Sequence, residues 1–197
     1  MKKILYLIFI IGSFLFSATS CEVDNFPEPD AQVYGGILDK VGGGLVETDM
    51  NSGSMIGVRE LGQYADNPTR KTWYIKQTGE YRKNLVYSNE YQFDFASCNF
   101  FPFDTTLTVK PGENKIDFIV TPYIRIKNLE ITYDEAGKKV NATFSLEAGK
   151  PTVKVSWVTL YAWTDIYVGE YVKKTIATGT GQPKRTFTGA DQTIDPA

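Results

Sequence analysis

Apolar and polar residues alternate with a period of two through most of this 197-residue chain, which predicts half-buried strands. Residues 90–96 are the cleanest case, with Tyr91, Phe93 and Phe95 on one face and Gln92 and Asp94 on the other. Upstream, residues 31–39 read as a strand interrupted by Gly35 and Gly36. Residues 41–44 read as a flexible turn, because neither a GK[ST] sequence nor a helical pattern follows their glycines. Strand character resumes at residues 45–48, 56–60 and 72–76, the last with Trp73 and Ile75 on one face. Turn chemistry at residues 51–54, 66–68, 78–81 and 110–114 separates these runs. Leu107 and Val109 share a face, and Ile116, Phe118 and Val120 form an inward set opposite Asp117.

The alternation changes parity once in the second half. Ile124 and Ile126 fall on one face, but the next apolar set is Leu129, Ile131 and Tyr133. One residue is out of step near Asn128, which predicts a β-bulge there or a strand that switches sheets. After a turn at residues 134–138, Val140, Ala142, Phe144 and Leu146 alternate with Asn141, Thr143 and Ser145. Residues 153–171 then carry Val153, Val155, Trp157, Tyr161, Trp163, Tyr167 and Tyr171 at odd positions, and Val158, Leu160, Ala162, Ile166 and Val168 at even ones. A single strand of that length is far beyond the usual five or six residues, so a break is expected near Thr164 and Asp165. The sequence VKVSW at 153–157 resembles a core strand of an immunoglobulin- or fibronectin-like sandwich, which implies a buried Trp157. A last strand is expected at residues 185–188.

No stretch after the leader sustains a 3.6-residue apolar period. Aromatics reach 14%, and the fold class is therefore all-β; the length suits one large or two small domains, and the sandwich resemblances of the two halves imply two β-sandwich domains in tandem over residues 31–121 and 122–197. Flat aromatic faces suit the apolar C–H surfaces of sugar rings, and a carboxylate nearby can hold their hydroxyls. Trp163, Tyr161 and Tyr167, with Asp165 beside them, are the candidate ligand-binding residues, and at least Trp163 or Tyr161 is expected to be exposed.

Residues 1–20 are built differently. Lys2 and Lys3 precede an apolar run over residues 4–16, and Ser17, Ala18, Thr19 and Ser20 supply a small-residue cleavage site. The run is short of the roughly 20 residues needed to span a bilayer. It ends at Cys21, and the whole resembles a bacterial lipobox, which implies that Cys21 carries lipid and anchors the mature chain to a membrane. Residues 21–30 hold four acidic residues, two prolines and no base, and read as a tether. Acidic residues directly after the lipidated cysteine also resemble the surface-export signal of Bacteroidetes lipoproteins, which implies an outer-membrane, cell-surface location.

Removing residues 1–20 leaves 177, and the formal charge falls from −2 to near −4 once Lys2 and Lys3 are gone. With no basic run, nucleic acid is not an expected partner. With Cys21 lipidated, Cys98 stands alone and no intrachain disulfide forms; its apolar setting predicts a buried, inert thiol. The chain has no histidine, which removes Ser-His-Asp, Cys-His and HExxH chemistry. No calcium-loop or other metal motif and no cofactor motif is present, and none of the 23 acidic residues is singled out as a glycosidase pair. The expected function is therefore non-catalytic.

The strings VYGGILD (33–39), QTGEY (77–81), NEYQFDF (89–95) and VKPGENKIDFIVTPY (109–123) occur in that order. Together they resemble the transthyretin-like, carboxypeptidase-regulatory-like β-sandwich. With the acidic stretch after Cys21, the chain is similar to an uncharacterised family of two-domain Bacteroidetes lipoproteins encoded beside SusC/SusD-type glycan importers. That resemblance implies an accessory role in glycan uptake, with a polysaccharide or a SusC/SusD-like protein as partner, and it supplies no catalytic residue. Two alternatives stay open, a fimbrillin-like structural subunit and a surface spacer. The first arginine, Arg59, lies inside the first domain, which disfavours the cleavage that fimbrillins undergo.

Overall fold

The computed structural model describes residues 27–49, 52–62, 66–173, 184–186 and 193–194. The leader, Cys21 and the first part of the tether lie outside the described residues, as do Phe187 and Thr188 of the expected last strand. Among the described residues every regular element is a strand. The sheets pack on one another, and the architecture is all-β, consistent with sandwich domains in tandem.

One sheet is built on β1 (Ala31–Asp39). Antiparallel to it runs β4 (Glu80–Val86); parallel to it run β7 (Gly112–Lys115) and, further along, β8 (Phe118–Val120). The other sheet is antiparallel throughout, in the order β3 (Lys71–Tyr74), β2 (Met55–Leu61), β5 (Asn89–Asp94), β6 (Asp104–Val109). Alternation explains the layering. Val33, Ile37, Phe118 and Val120 are buried from the first sheet, and Ile56, Val58, Trp73, Tyr91, Phe93 and Val109 from the second. Aromatic rings join the layers: Phe93 and Phe118 lie 5.3 Å apart, and Phe95 meets Phe118 edge-on at 4.7 Å.

Three sequence readings change here. The turn expected at residues 78–81 ends at Gly79, and Glu80 opens β4. Polar Arg82, Lys83 and Asn84 hide that strand, yet Tyr81 is fully buried. The turn expected at 110–114 gives way at Gly112 to β7. Residues 45–48 hold only an isolated bridge, from Leu45 to Leu38, in place of a strand.

In the second half, β9 (Ile124–Asp134) and β10 (Lys139–Ala148) form an antiparallel hairpin. The register shifts between Thr143 and Ser145, so Asn128 and Leu129 both stand opposite Phe144. Asn128 takes a φ of 53°, a left-handed conformation that its short amide side chain tolerates. This is the bulge expected from the parity change. It restores the alternation, so that Ile124, Ile126, Leu129, Ile131 and Tyr133 line up with Val140, Ala142, Phe144, Leu146 and Ala148 on one face. Most of that face is open: Ile126, Leu129, Ile131 and Tyr133 are all exposed.

A buried ion pair fastens the hairpin to the first sheet. Arg125, the second residue of β9, donates through Nη2 to Asp39 Oδ1 at 2.8 Å and through Nε to Asp39 Oδ2. Its Nη1 donates to Glu147 Oε1 at 3.3 Å.

Candidate functional site

The long odd–even pattern over residues 153–171 does not form one strand. Only β11 (Trp157–Thr159) is regular, and it pairs antiparallel with β12 (Lys184–Thr186). The break therefore comes at Leu160, before the expected Thr164–Asp165 position. This shortness corrects the reading of Trp157. Trp157 is 50% exposed, and Val155 takes the buried place two residues earlier.

Residues 160–173 form no regular strand, and they meet the loops that hold Asp49 and Gln77. Glu170 N–H donates to Asp49 Oδ2 at 2.7 Å, and Gln77 Nε2 donates to the Val168 carbonyl at 3.4 Å. Gly169 lets the junction close, since a β-carbon there would stand 2.4 Å from Asp49 Oδ2 and push that carboxylate aside.

The four candidate residues divide into two kinds. Tyr161 is half-buried and tied down: its hydroxyl donates to Glu170 Oε2, and Lys173 Nζ sits 4.4 Å from its ring centroid. Lys173 also pairs with Glu170 Oε1 at 2.8 Å. Burial and the Glu170 carboxylate push the Tyr161 phenol up, while hydrogen bonds from Lys173 and Tyr161 hold Glu170 below its ordinary value. Tyr161 thus shapes the segment and offers little free ring. Trp163 and Tyr167, by contrast, are 44% and 51% exposed, and Asp165 between them is exposed too. Exposure of Trp163 meets the expectation that Trp163 or Tyr161 is open. Trp157 and Tyr171 join the exposed set, whereas Glu170 and Lys173 are the supports that alternation could not find, since they act across a loop. Chemically the segment offers aromatic surface and a free carboxylate, a combination suited to holding a polyhydroxylated ligand. Among the described residues no group of three or more His, Cys, Asp or Glu is placed to hold a metal ion.

The chain is 43% identical to a Bacteroides uniformis protein whose crystal structure is described as that of a "putative carbohydrate binding protein"; the match covers 85% of this chain and 75% of that one, with a TM-score of 0.75. The chain belongs to that protein's family. Members of the DUF3823 family share the fold of the present chain. The Parabacteroides merdae structure is 17% identical, with a TM-score of 0.66 and coverage of 85% and 78%. The Bacteroides ovatus structure is 20% identical, with a TM-score of 0.63 and coverage of 81% and 75%. Neither the B. uniformis protein nor these two is described as an enzyme. No family model and no curated protein matches the sequence.

Proposed function

We propose that this chain is a non-catalytic glycan-binding lipoprotein, held by lipid on Cys21 to the outer membrane and displayed at the cell surface. Residues 31–121 form its first domain and residues 122–197 its second, and it serves a SusC/SusD-type glycan importer. The observation that carries the binding role is the exposure of Trp163 and Tyr167 on either side of exposed Asp165, on a segment pinned by Tyr161, Glu170 and Lys173. A pinned backbone presents the rings with little ordering cost on binding. The description of the B. uniformis relative supports the same reading.

The test is affinity electrophoresis of the mature chain in gels holding plant, host or microbial polysaccharides, beside Trp163→Ala. Retardation by a glycan that the variant loses is the expected result. Equal retardation of both proteins removes Trp163 from the site, and free migration in every gel removes glycan binding.

A protein-partner reading rests on a different feature, the open apolar face of the β9–β10 hairpin. Contiguous apolar surface of that kind marks interaction sites, and an isolated two-stranded hairpin is marginal in water. A SusC/SusD-like protein is the proposed partner for it, and pull-down with the importer checks the contact.

A further inference from the structure

Far from Trp163 in the sequence, the outer surface of the first sheet carries a groove of about 420 Å³. That falls within the roughly 300–1,000 Å³ typical of small-ligand sites. Its floor is Gly35 and Gly36, in the middle of β1. Glycine weakens a strand by roughly 0.5–1 kcal/mol relative to alanine, so two in succession call for a reason.

The neighbouring strand supplies one. β1 pairs with β7 as far as Tyr34 and Lys115, and pairing resumes with β8 at Ile37 and Phe118. Between these points Ile116 and Asp117 leave the ladder without any change of count. The Ile116 carbonyl turns towards Gly35, where a β-carbon would stand 1.8 Å from it, and it accepts from the buried Tyr81 hydroxyl at 2.7 Å. Asp117 Oδ1 takes over the Gly36 N–H at 2.9 Å. Hydrogen bonds at the Ile116 N–H, the Ile116 carbonyl and the Asp117 carboxylate hold the detour, and it leaves bare backbone at the bottom of a groove.

Charged groups line that groove. Lys76, Arg82 and Lys115 oppose Glu80 and Asp117. Asp117 is already engaged by Gly36 and by Lys115 at 3.4 Å, and Glu80 accepts from the Thr78 hydroxyl at 3.1 Å. The Arg82 guanidinium lies 5.1 Å from the Tyr34 ring centroid and donates to Gln32 Oε1 at 2.9 Å, so an aromatic surface and a fixed cation sit side by side. Three cations against two carboxylates leave the lining one positive charge in excess; Arg82 also faces Glu113 at 3.9 Å, so that excess is carried by Lys76 and Lys115.

We infer that this groove binds an acidic saccharide unit, its uronate carboxylate meeting Lys76 and Lys115 and its ring lying on the Gly35–Gly36 backbone beside Tyr34. The inference rests on the glycan-binding reading and adds a second subsite that selects charge. Charge-assisted hydrogen bonds are the strong ones, and their loss weakens binding about tenfold or more.

Calorimetric titration of the mature chain with oligogalacturonate, with a neutral galactan oligomer and with a sulfated, uronate-free carrageenan oligomer tests it. Oligogalacturonate binding that falls about tenfold or more in Lys115→Ala and in Lys76→Ala, and weakens in 0.5 M salt, is expected. Lys139→Ala, on the distant hairpin, serves as the control for general charge loss and leaves that binding unchanged. Lys115 is an exposed side chain, so its variant keeps the fold, and unchanged melting temperatures verify this. Oligogalacturonate bound equally by all three variants overturns the groove. Binding of the neutral oligomer alone also overturns it and leaves the Trp163 platform standing. Binding of the carrageenan oligomer alone, which carries sulfate and no uronate, overturns the uronate assignment in favour of a sulfate site. Binding of no glycan overturns both readings.

Discussion

Replacing Asp39 by Asn tests how the hairpin is fastened to the first sheet. Arg125 and Asp39 keep only 6% and 13% of their side-chain surface exposed, and two parallel hydrogen bonds join them. Removing one partner of a fully buried pair costs roughly 3–5 kcal/mol, because the other charge stays buried. Here Glu147 still faces Arg125 at 3.3 Å, and the Asn oxygen still accepts one bond, so about 2–3 kcal/mol is expected. For a chain of this size that lowers the melting temperature by about 4–12 °C. The pH dependence fixes the sign. Burial works to raise the Asp39 pKa, but hydrogen bonds from Arg125 and Val41, with the Arg125 charge, hold it below the ordinary aspartate value. The pair's contribution is therefore present above the ordinary aspartate pKa of about 3.9 and is lost as pH falls through the lower folded value. Urea denaturation at pH 7, 5 and 3 measures it: the gap between wild type and Asp39→Asn is constant from pH 7 to 5 and shrinks at pH 3. A gap below about 0.5 kcal/mol at pH 7, or one that persists undiminished into acid, refutes the reasoning.

Gly35→Ala places a β-carbon on the Ile116 carbonyl, which is backbone and cannot step aside, and urea denaturation is expected to show a loss of about 3 kcal/mol or more. Phe93→Ala empties the ring contact between the two sheets and costs about 3–5 kcal/mol by the same assay, whereas Trp163→Ala stays within about 0.5 kcal/mol. Cys98 is half-buried and not fully buried as expected, but desolvation still pushes its thiol up, so native protein at pH 8 reacts with a thiol reagent more slowly than protein in urea; equal rates contradict that shift. Ile131→Lys, on the open hairpin face, leaves the stability of purified protein within about 0.5 kcal/mol, and a larger loss shows that the face is covered.

Alternation made the first domain's core legible, because burial on one face forces period two. Tyr91, Phe93 and Phe95 sit where that rule puts them, fully inside. The bulge at Asn128 was legible for the same reason: a one-residue slip would have sent half the hairpin's apolar side chains to the other face. Where both faces of a strand are polar, the rule gives nothing. β4 keeps Arg82, Lys83, Asn84 and Leu85 exposed and is held by pairing with β1, so a turn reading of Glu80 and Tyr81 had no contrary signal.

The aromatic segment over residues 157–171 was half legible, and the missing half is tertiary. Periodicity says that aromatic residues cluster, but whether a ring is core or surface depends on what covers it. Trp157 and Trp163 have similar surroundings in the sequence, and both are exposed where β11, paired with β12, stops at Thr159. Tyr161 has the same apolar context, yet Glu170 and Lys173 close over it from the far side of a loop. The groove on β1 was hidden more deeply. Gly35 and Gly36 read as a weak point in a strand, while their purpose depends on Ile116 and Asp117, about 80 residues away. A glycine pair inside an otherwise apolar strand therefore marks a place where a second backbone approaches. At this sheet that approach opens a concave surface instead of filling one, because the displaced carbonyl is taken by Tyr81 and the freed N–H by Asp117.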